Sequence, residues 1–118
     1  MSVLAGCSIA WGEPKPEVRK PDEELTYRKV GDVELKLEVF RPRGWKPSDS
    51  RPAVVFFFGG GWVGGSTTQF HPQATRLAKL GMVAYCADYR VRSRHKTSPF
   101  EAVADAKAAV RWIWRNAE

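Results

Sequence analysis

Residues 53–66 read Ala53-Val54-Val55-Phe56-Phe57-Phe58-Gly59-Gly60-Gly61-Trp62-Val63-Gly64-Gly65-Ser66, an apolar run that breaks off in glycine. The run is apolar at every position rather than at alternate ones, which is the pattern of a strand covered on both faces, as in a parallel sheet. Met82 to Ala87 is a second run of this kind. Between the two, Phe70 to Leu80 carries Ala74, Leu77 and Ala78 at helical spacing, and Gly81 stands where a C-terminal cap belongs. Together these segments predict a βαβ unit. Upstream, Leu25, Tyr27 and Lys29 alternate with polar neighbours, Gly31-Asp32 marks a turn, and Val33, Leu35, Leu37 and Val39 alternate with Glu34, Lys36 and Glu38. Such alternation predicts an antiparallel pair with one wet face. A turn-rich loop, Arg41 to Pro52, joins the pair to the buried strand. Downstream, Ser98, Pro99 and Glu101 form a capping box, and Phe100, Val103, Ala106, Val110, Ile113 and Trp114 are expected to be the inward stripe of a long helix. The expected class is α/β, with antiparallel N-terminal strands leading into a parallel sheet flanked by helices. At Glu118 the β-α alternation is due its next strand.

The 118 residues suit one domain or part of one, and 43% hydrophobic with 27% charged residues is ordinary globular composition. No apolar run reaches the roughly 18 residues of a membrane-spanning helix. Nineteen Lys and Arg against thirteen Asp and Glu give a net charge of +6, which favours weak contact with anionic partners without naming one. The two cysteines, Cys7 and Cys86, sit in no C-x-x-C pair and at no zinc spacing, so neither a metal site nor a disulfide scaffold is expected. No cofactor is expected.

Residues 1–22 read as a leader and linker. Leu4-Ala5-Gly6-Cys7 is similar to the lipobox of bacterial lipoproteins, but six residues before the cysteine leave no room for an apolar signal core of about 7 to 15. A lipid anchor at Cys7 stays open, and with it the choice between an exported and a cytoplasmic protein. Pro14, Pro16 and Pro21 favour an extended linker. Residues 23–118 form the expected folded unit.

Three readings compete for the glycine segment. As a phosphate cradle it lacks both the Gly-Lys-Ser/Thr ending and the G-x-G-x-x-G spacing. As a purely structural turn, three successive glycines cost backbone entropy that a tight turn does not require. As an oxyanion hole it fits best, since lipases and esterases place such a segment after a strand to donate N–H groups to a tetrahedral intermediate.

The region from about Pro52 to Glu118 resembles the N-terminal half of α/β-hydrolase esterases of the bacterial acetylesterase and hormone-sensitive-lipase-like type. The resemblance rests on Phe56 to Trp62 with Gly64-Gly65-Ser66, on Ala87-Asp88-Tyr89-Arg90, and on the helix carrying Asp105, Ala109, Val110, Trp112 and Asn116. It implies hydrolysis of carboxylic esters by a serine nucleophile, on short acyl chains or on acetyl or feruloyl groups of polysaccharides. It further implies that the N–H groups of Gly60 and Gly61 are oxyanion donors, that Trp62 walls the pocket, and that Gly59 and Ser66 support the loop. Where the family begins the loop with histidine, this chain has Phe58. The family also pairs its nucleophile strand beside Ala53 to Phe58, so without that strand an exposed apolar edge is expected, and with it association or incomplete packing of the 118 residues alone.

No Gly-x-Ser-x-Gly elbow occurs in the sequence, and no acid and histidine follow one. The near match at Gly6 to Ala10 precedes the sheet, Ser66 lies in the loop, His71 at a helix entry, and His95 in a basic segment. The chain is therefore expected to supply an oxyanion loop without a triad, and to be inactive alone. Asp88 reads as a structural acid, Cys86 as an inert core residue, and Trp112 and Trp114 as core packing. The cluster Arg90, Arg92, Arg94, His95 and Lys96 reads as a solvated loop rather than a nucleic-acid site, because no nucleic-acid-binding fold accompanies it. Two other classes stay open: a non-catalytic binding module that holds an anion or acyl group in the glycine loop, and a basic protein that binds nucleic acid or a charged surface.

Overall fold

A computed structural model describes residues 18–116. Cys7 and the elbow-like Gly6 to Ala10 lie outside the described residues. Four strands form one mixed sheet: β1 (Glu23–Val30), β2 (Val33–Phe40), β3 (Ala53–Phe57) and β4 (Val83–Ala87), in spatial order β1-β2-β4-β3. A 3₁₀ turn (Thr67–Phe70) runs into helix α1 (His71–Lys79), a single turn α2 (Arg92–His95) follows β4, and α3 (Pro99–Asn116) is the last element described.

The antiparallel pair forms as its alternation predicts, turning at Gly31 with φ of 59°. Its register slips between Thr26 and Arg28, where Tyr27 is buried and donates its hydroxyl to the Asp88 carbonyl. β3 and β4 pair in parallel, from Ala53 against Val83 to Phe57 against Ala87. Strand periodicity alone does not reveal that β2 pairs antiparallel with β4, Leu37 against Ala87. β3 is consequently one of the two edges, paired on one side only among the described residues, and its residues from Val54 to Phe57 are half-buried.

Each face of the sheet carries one helix. On one face Phe40, Ala84 and Cys86 pack with Ala74 and Ala78 of α1. Burial pushes the Cys86 thiol up to about 12, so it stays protonated as a small apolar filler. Gly81 ends this helix at φ of 97°, its N–H bonded to Ala78 O and that of Met82 to Leu77 O, closing the last turn. On the other face Tyr27, Leu35, Leu37 and Ala87 meet Ala109, with Trp112 and Ile113 packed around them.

The inward face of α3 differs from the expected stripe. Ala102, Asp105 and Ala109 are its buried residues, while Phe100 and Trp114 are 83% and 84% exposed and Val103 and Val110 also face outward. Small side chains let the helix approach a sheet face already filled by Tyr27, Tyr85 and Phe57. Trp112 takes part in the core and Trp114 does not. The capping box forms: Ser98 Oγ accepts the Phe100 N–H at 3.3 Å, and Glu101 Oε1 accepts the Ser98 N–H at 3.0 Å.

Candidate functional site

The segment after β3 leaves the sheet at its C-terminal end. Phe58 is buried, its ring stacked on Tyr89 at 4.2 Å, and the Tyr89 hydroxyl donates to the Phe58 carbonyl. Phe58 is thus an aromatic anchor. From there the backbone enters the left-handed half of φ space: Gly60 at 146°, Gly61 at 62°, and Trp62 at 69°. At Gly60 a side chain is excluded, because a Cβ would lie 2.2 Å from the Gly64 carbonyl oxygen. Gly65, at φ of 113°, has the same constraint against the Gly59 carbonyl at 2.5 Å.

The loop is fixed from three sides. The Gly59 N–H donates to Gln69 Oε1 at 2.6 Å. The Trp62 and Val63 carbonyls accept the N–H groups of Arg92 and Ser93 at 3.0 and 2.8 Å, tying the loop to α2. Arg94 donates to the Gly65 carbonyl at 3.2 Å and to Asp88 at 3.2 Å. Ser66 caps the 3₁₀ turn by accepting the Thr68 N–H at 3.1 Å. Inside this frame the exposed N–H groups of Gly60 and Gly61 donate to no acceptor among the described residues. Beside them Trp62 stands edge-on to Tyr89 at 6.1 Å and is 42% exposed.

Behind the loop lies a buried ionic joint. Asp105, fully buried, accepts Arg28 Nη1 and Arg90 Nη2 on one oxygen at 2.9 and 3.0 Å, and Arg90 N and Nε on the other, both at 2.9 Å. Four donors surround one carboxylate, which offsets its desolvation. The joint couples β1, the segment after β4 and α3, and so holds the platform on which Tyr89 and the loop rest. Arg90 therefore does not belong to a solvated loop, and Arg94 is engaged as well. Sequence reasoning missed the joint, although an acid three residues after Ala102 and four before Ala109 was its signal.

Both histidines are held away from the loop. His71 Nε2 pairs with Glu38 at 2.7 Å, and His95 Nδ1 accepts the Val91 N–H at 3.1 Å. Neither ring bonds a serine hydroxyl among the described residues. No group of three or more metal-ligating side chains occurs among them, and no helix there is long and apolar enough to cross a membrane.

Comparison with known proteins gives this arrangement its family. The BD-FAE family profile matches residues 37–118. Carboxylesterase NlhH of Mycobacterium tuberculosis is 32% identical over 108 residues, which cover 86% of this chain and 30% of that protein. The apo form of Thermogutta terrifontis esterase 2 superposes with a TM-score of 0.81 at 52% identity, over 86% of this chain and 38% of that one. Its butyrate-bound form superposes with a TM-score of 0.79 at 54% identity, over 80% of this chain and 34% of that one. The chain thus spans about a third of these relatives' length. It belongs to the BD-FAE family, within the α/β-hydrolase esterases, and corresponds to their N-terminal part.

Proposed function

We propose that this chain serves the hydrolysis of carboxylic esters by a serine nucleophile, supplying the oxyanion hole through the N–H groups of Gly60 and Gly61. Residues 23–118 are, in this reading, the N-terminal part of a catalytic domain. The observation that carries it is the contrast along the loop: the Gly59 N–H is spent on Gln69, whereas those of Gly60 and Gly61 are exposed and unspent on a rigidly tied backbone. Donors fixed in advance need no reorganisation when charge develops on the attacked carbonyl oxygen, and each is worth on the order of 3 kcal/mol in the barrier. Trp62 walls the pocket beside them, and Gly59 and Ser66 hold the loop's two ends. The relatives' complexes with butyrate and propionate favour short acyl chains; acetyl or feruloyl esters of polysaccharides are the wider substrate class.

Nucleophile, acid and base are not assigned to any residue of these 118. No Gly-x-Ser-x-Gly is present, Asp88 is paired with Arg94, and both histidines are engaged. The chain by itself should neither turn over p-nitrophenyl acetate nor be labelled by a fluorophosphonate probe. Stoichiometric labelling would overturn that reading. The loop's role is tested by grafting Phe58 to Ser66 into a complete carboxylesterase of the family: turnover within about tenfold of the parent is expected, and loss of more than about 10³-fold refutes it.

The unspent N–H pair also supports a second reading, a non-catalytic module that holds an acyl or anionic group there. Saturable binding of a carboxylate such as butyrate to the chain alone, without turnover in any longer form of the protein, would select it. Nucleic-acid binding is disfavoured by the engagement of Arg90 and Arg94, which removes two cations from the cluster.

A further inference from the structure

The single turn α2 is too short to hold its own shape, because one turn fixes several residues for very few hydrogen bonds. Val91, which precedes it, is fully buried with Phe58, Tyr89 and Ala102, and valine has no side-chain oxygen with which to cap a turn. His95 closes the turn instead. Its backbone N–H donates to the Val91 carbonyl at 2.8 Å, and its ring Nδ1 accepts the Val91 N–H at 3.1 Å. An imidazole nitrogen accepts only when it carries no proton, so this bond selects the neutral ring with its hydrogen on Nε2.

The turn in its place holds the glycine loop. Arg92 and Ser93, directly after Val91, donate to the Trp62 and Val63 carbonyls at 3.0 and 2.8 Å. Trp62 lies at φ of 69°, a conformation that a residue with a Cβ keeps only where its surroundings impose it. Gly60 and Gly61, with the unspent N–H groups, immediately precede it. A second proton on the ring, taken from solvent, turns Nδ1 from acceptor into donor and sets it against the Val91 N–H. On the same segment stand Arg92, Arg94 and Lys96. The elements packed around it bring Asp88 bonded to Arg94, Arg90 bonded to Asp105, Glu101 bonded to Ser98, and the Tyr89 phenol. The glycine loop and the 3₁₀ turn, residues 58–70, contain no titratable side chain.

We infer that His95 is a positioning residue of the glycine loop, and that protonation of its ring releases the clamp on Trp62 and Val63. The N–H pair affected is the one proposed as the oxyanion hole; the test below needs no turnover, so its failure leaves the test by grafting untouched. Amide signals of the whole chain are followed by NMR from about pH 8 to about pH 5.5, where histidine titrates and carboxylates stay largely ionised. Val91, Arg92, Ser93, Gly60 and Gly61 should shift along one curve, with the midpoint of the His95 ring signals. His95→Asn keeps an acceptor near the Nδ1 position and should hold these amides at the parent's high-pH positions throughout. His95→Phe removes the acceptor and should place them near the low-pH positions throughout. His71→Asn should leave the parent's response in place. A shift at Val91 without one at Gly60 and Gly61 overturns the proposal, as does an equal pH response in His95→Asn or its loss in His71→Asn. The Leu35 and Val39 amides of β2 report the fold, and a shift there as large as the loop's means general loosening and overturns a local release.

Discussion

The hydroxyl of Tyr89 donates to the carbonyl of Phe58 while the two rings lie 4.2 Å apart with 14° between their planes. Through this pair the segment after β4 holds the residue at which the glycine loop begins. Tyr89→Phe keeps the stack and removes the donor, leaving a buried carbonyl unsatisfied at a cost of about 1–3 kcal/mol. A lower urea midpoint is expected, with faster hydrogen exchange at the Arg92 and Ser93 amides that clamp the loop. Burial pushes the Tyr89 phenol up, so the bond should persist above neutral pH.

Gly60 and Gly61 should respond differently to alanine. At Gly60 the new Cβ meets a backbone oxygen at 2.2 Å, whereas at Gly61 it meets nothing within 4 Å and only the left-handed φ of 62° is penalised. Gly61→Ala is expected to cost about 1–2 kcal/mol and keep the loop's path. Gly60→Ala should displace it, read as chemical-shift changes at the Arg92 and Ser93 amides. Equal spectra for the two variants would contradict this geometry.

Asp105→Ala strips two arginines of their buried partner. Removing one member of a buried ion pair costs about 3–5 kcal/mol, which approaches the low end, about 5 kcal/mol, of the stability of a domain. The variant should be unfolded or nearly so by tryptophan fluorescence at low micromolar concentration, while Arg111→Ala should melt like the parent.

The capping box gives acid sensitivity with a defined sign. Hydrogen bonds from the Ser98 backbone, then from its hydroxyl, hold the Glu101 carboxyl below its ordinary 4.5. Because the folded value is depressed, the stabilisation is present above the unfolded pKa and is lost as pH falls through the folded one. Glu101→Gln should therefore melt earlier than the parent at pH 7, and the difference should vanish in acid.

The unpaired side of β3 and the outward Phe100, Val103, Val110 and Trp114 expose two apolar surfaces. Concentration-dependent association is expected in sedimentation velocity. Phe100→Glu with Trp114→Glu should reduce it in proportion to the helix's share, leaving the part due to the strand edge. A parent chain that stays monomeric at high concentration would contradict both.

What the amino-acid order determined was local. Uninterrupted apolar runs marked β3 and β4 as covered strands, alternation marked β1 and β2, and Ser98, Glu101 and Gly81 marked helix ends, because each signal acts within a few residues. The glycine run marked the loop, since only glycine passes Gly64 so closely. Tertiary structure decided the rest. Whether α3 buries its bulky or its small stripe depends on the volume left above Tyr27 and Tyr85, and the room there suits alanine. The role of Asp105 depends on two arginines 77 and 15 residues away along the chain, Arg28 and Arg90. A buried charge gathers its partners by proximity in space, which spacing along the sequence does not encode.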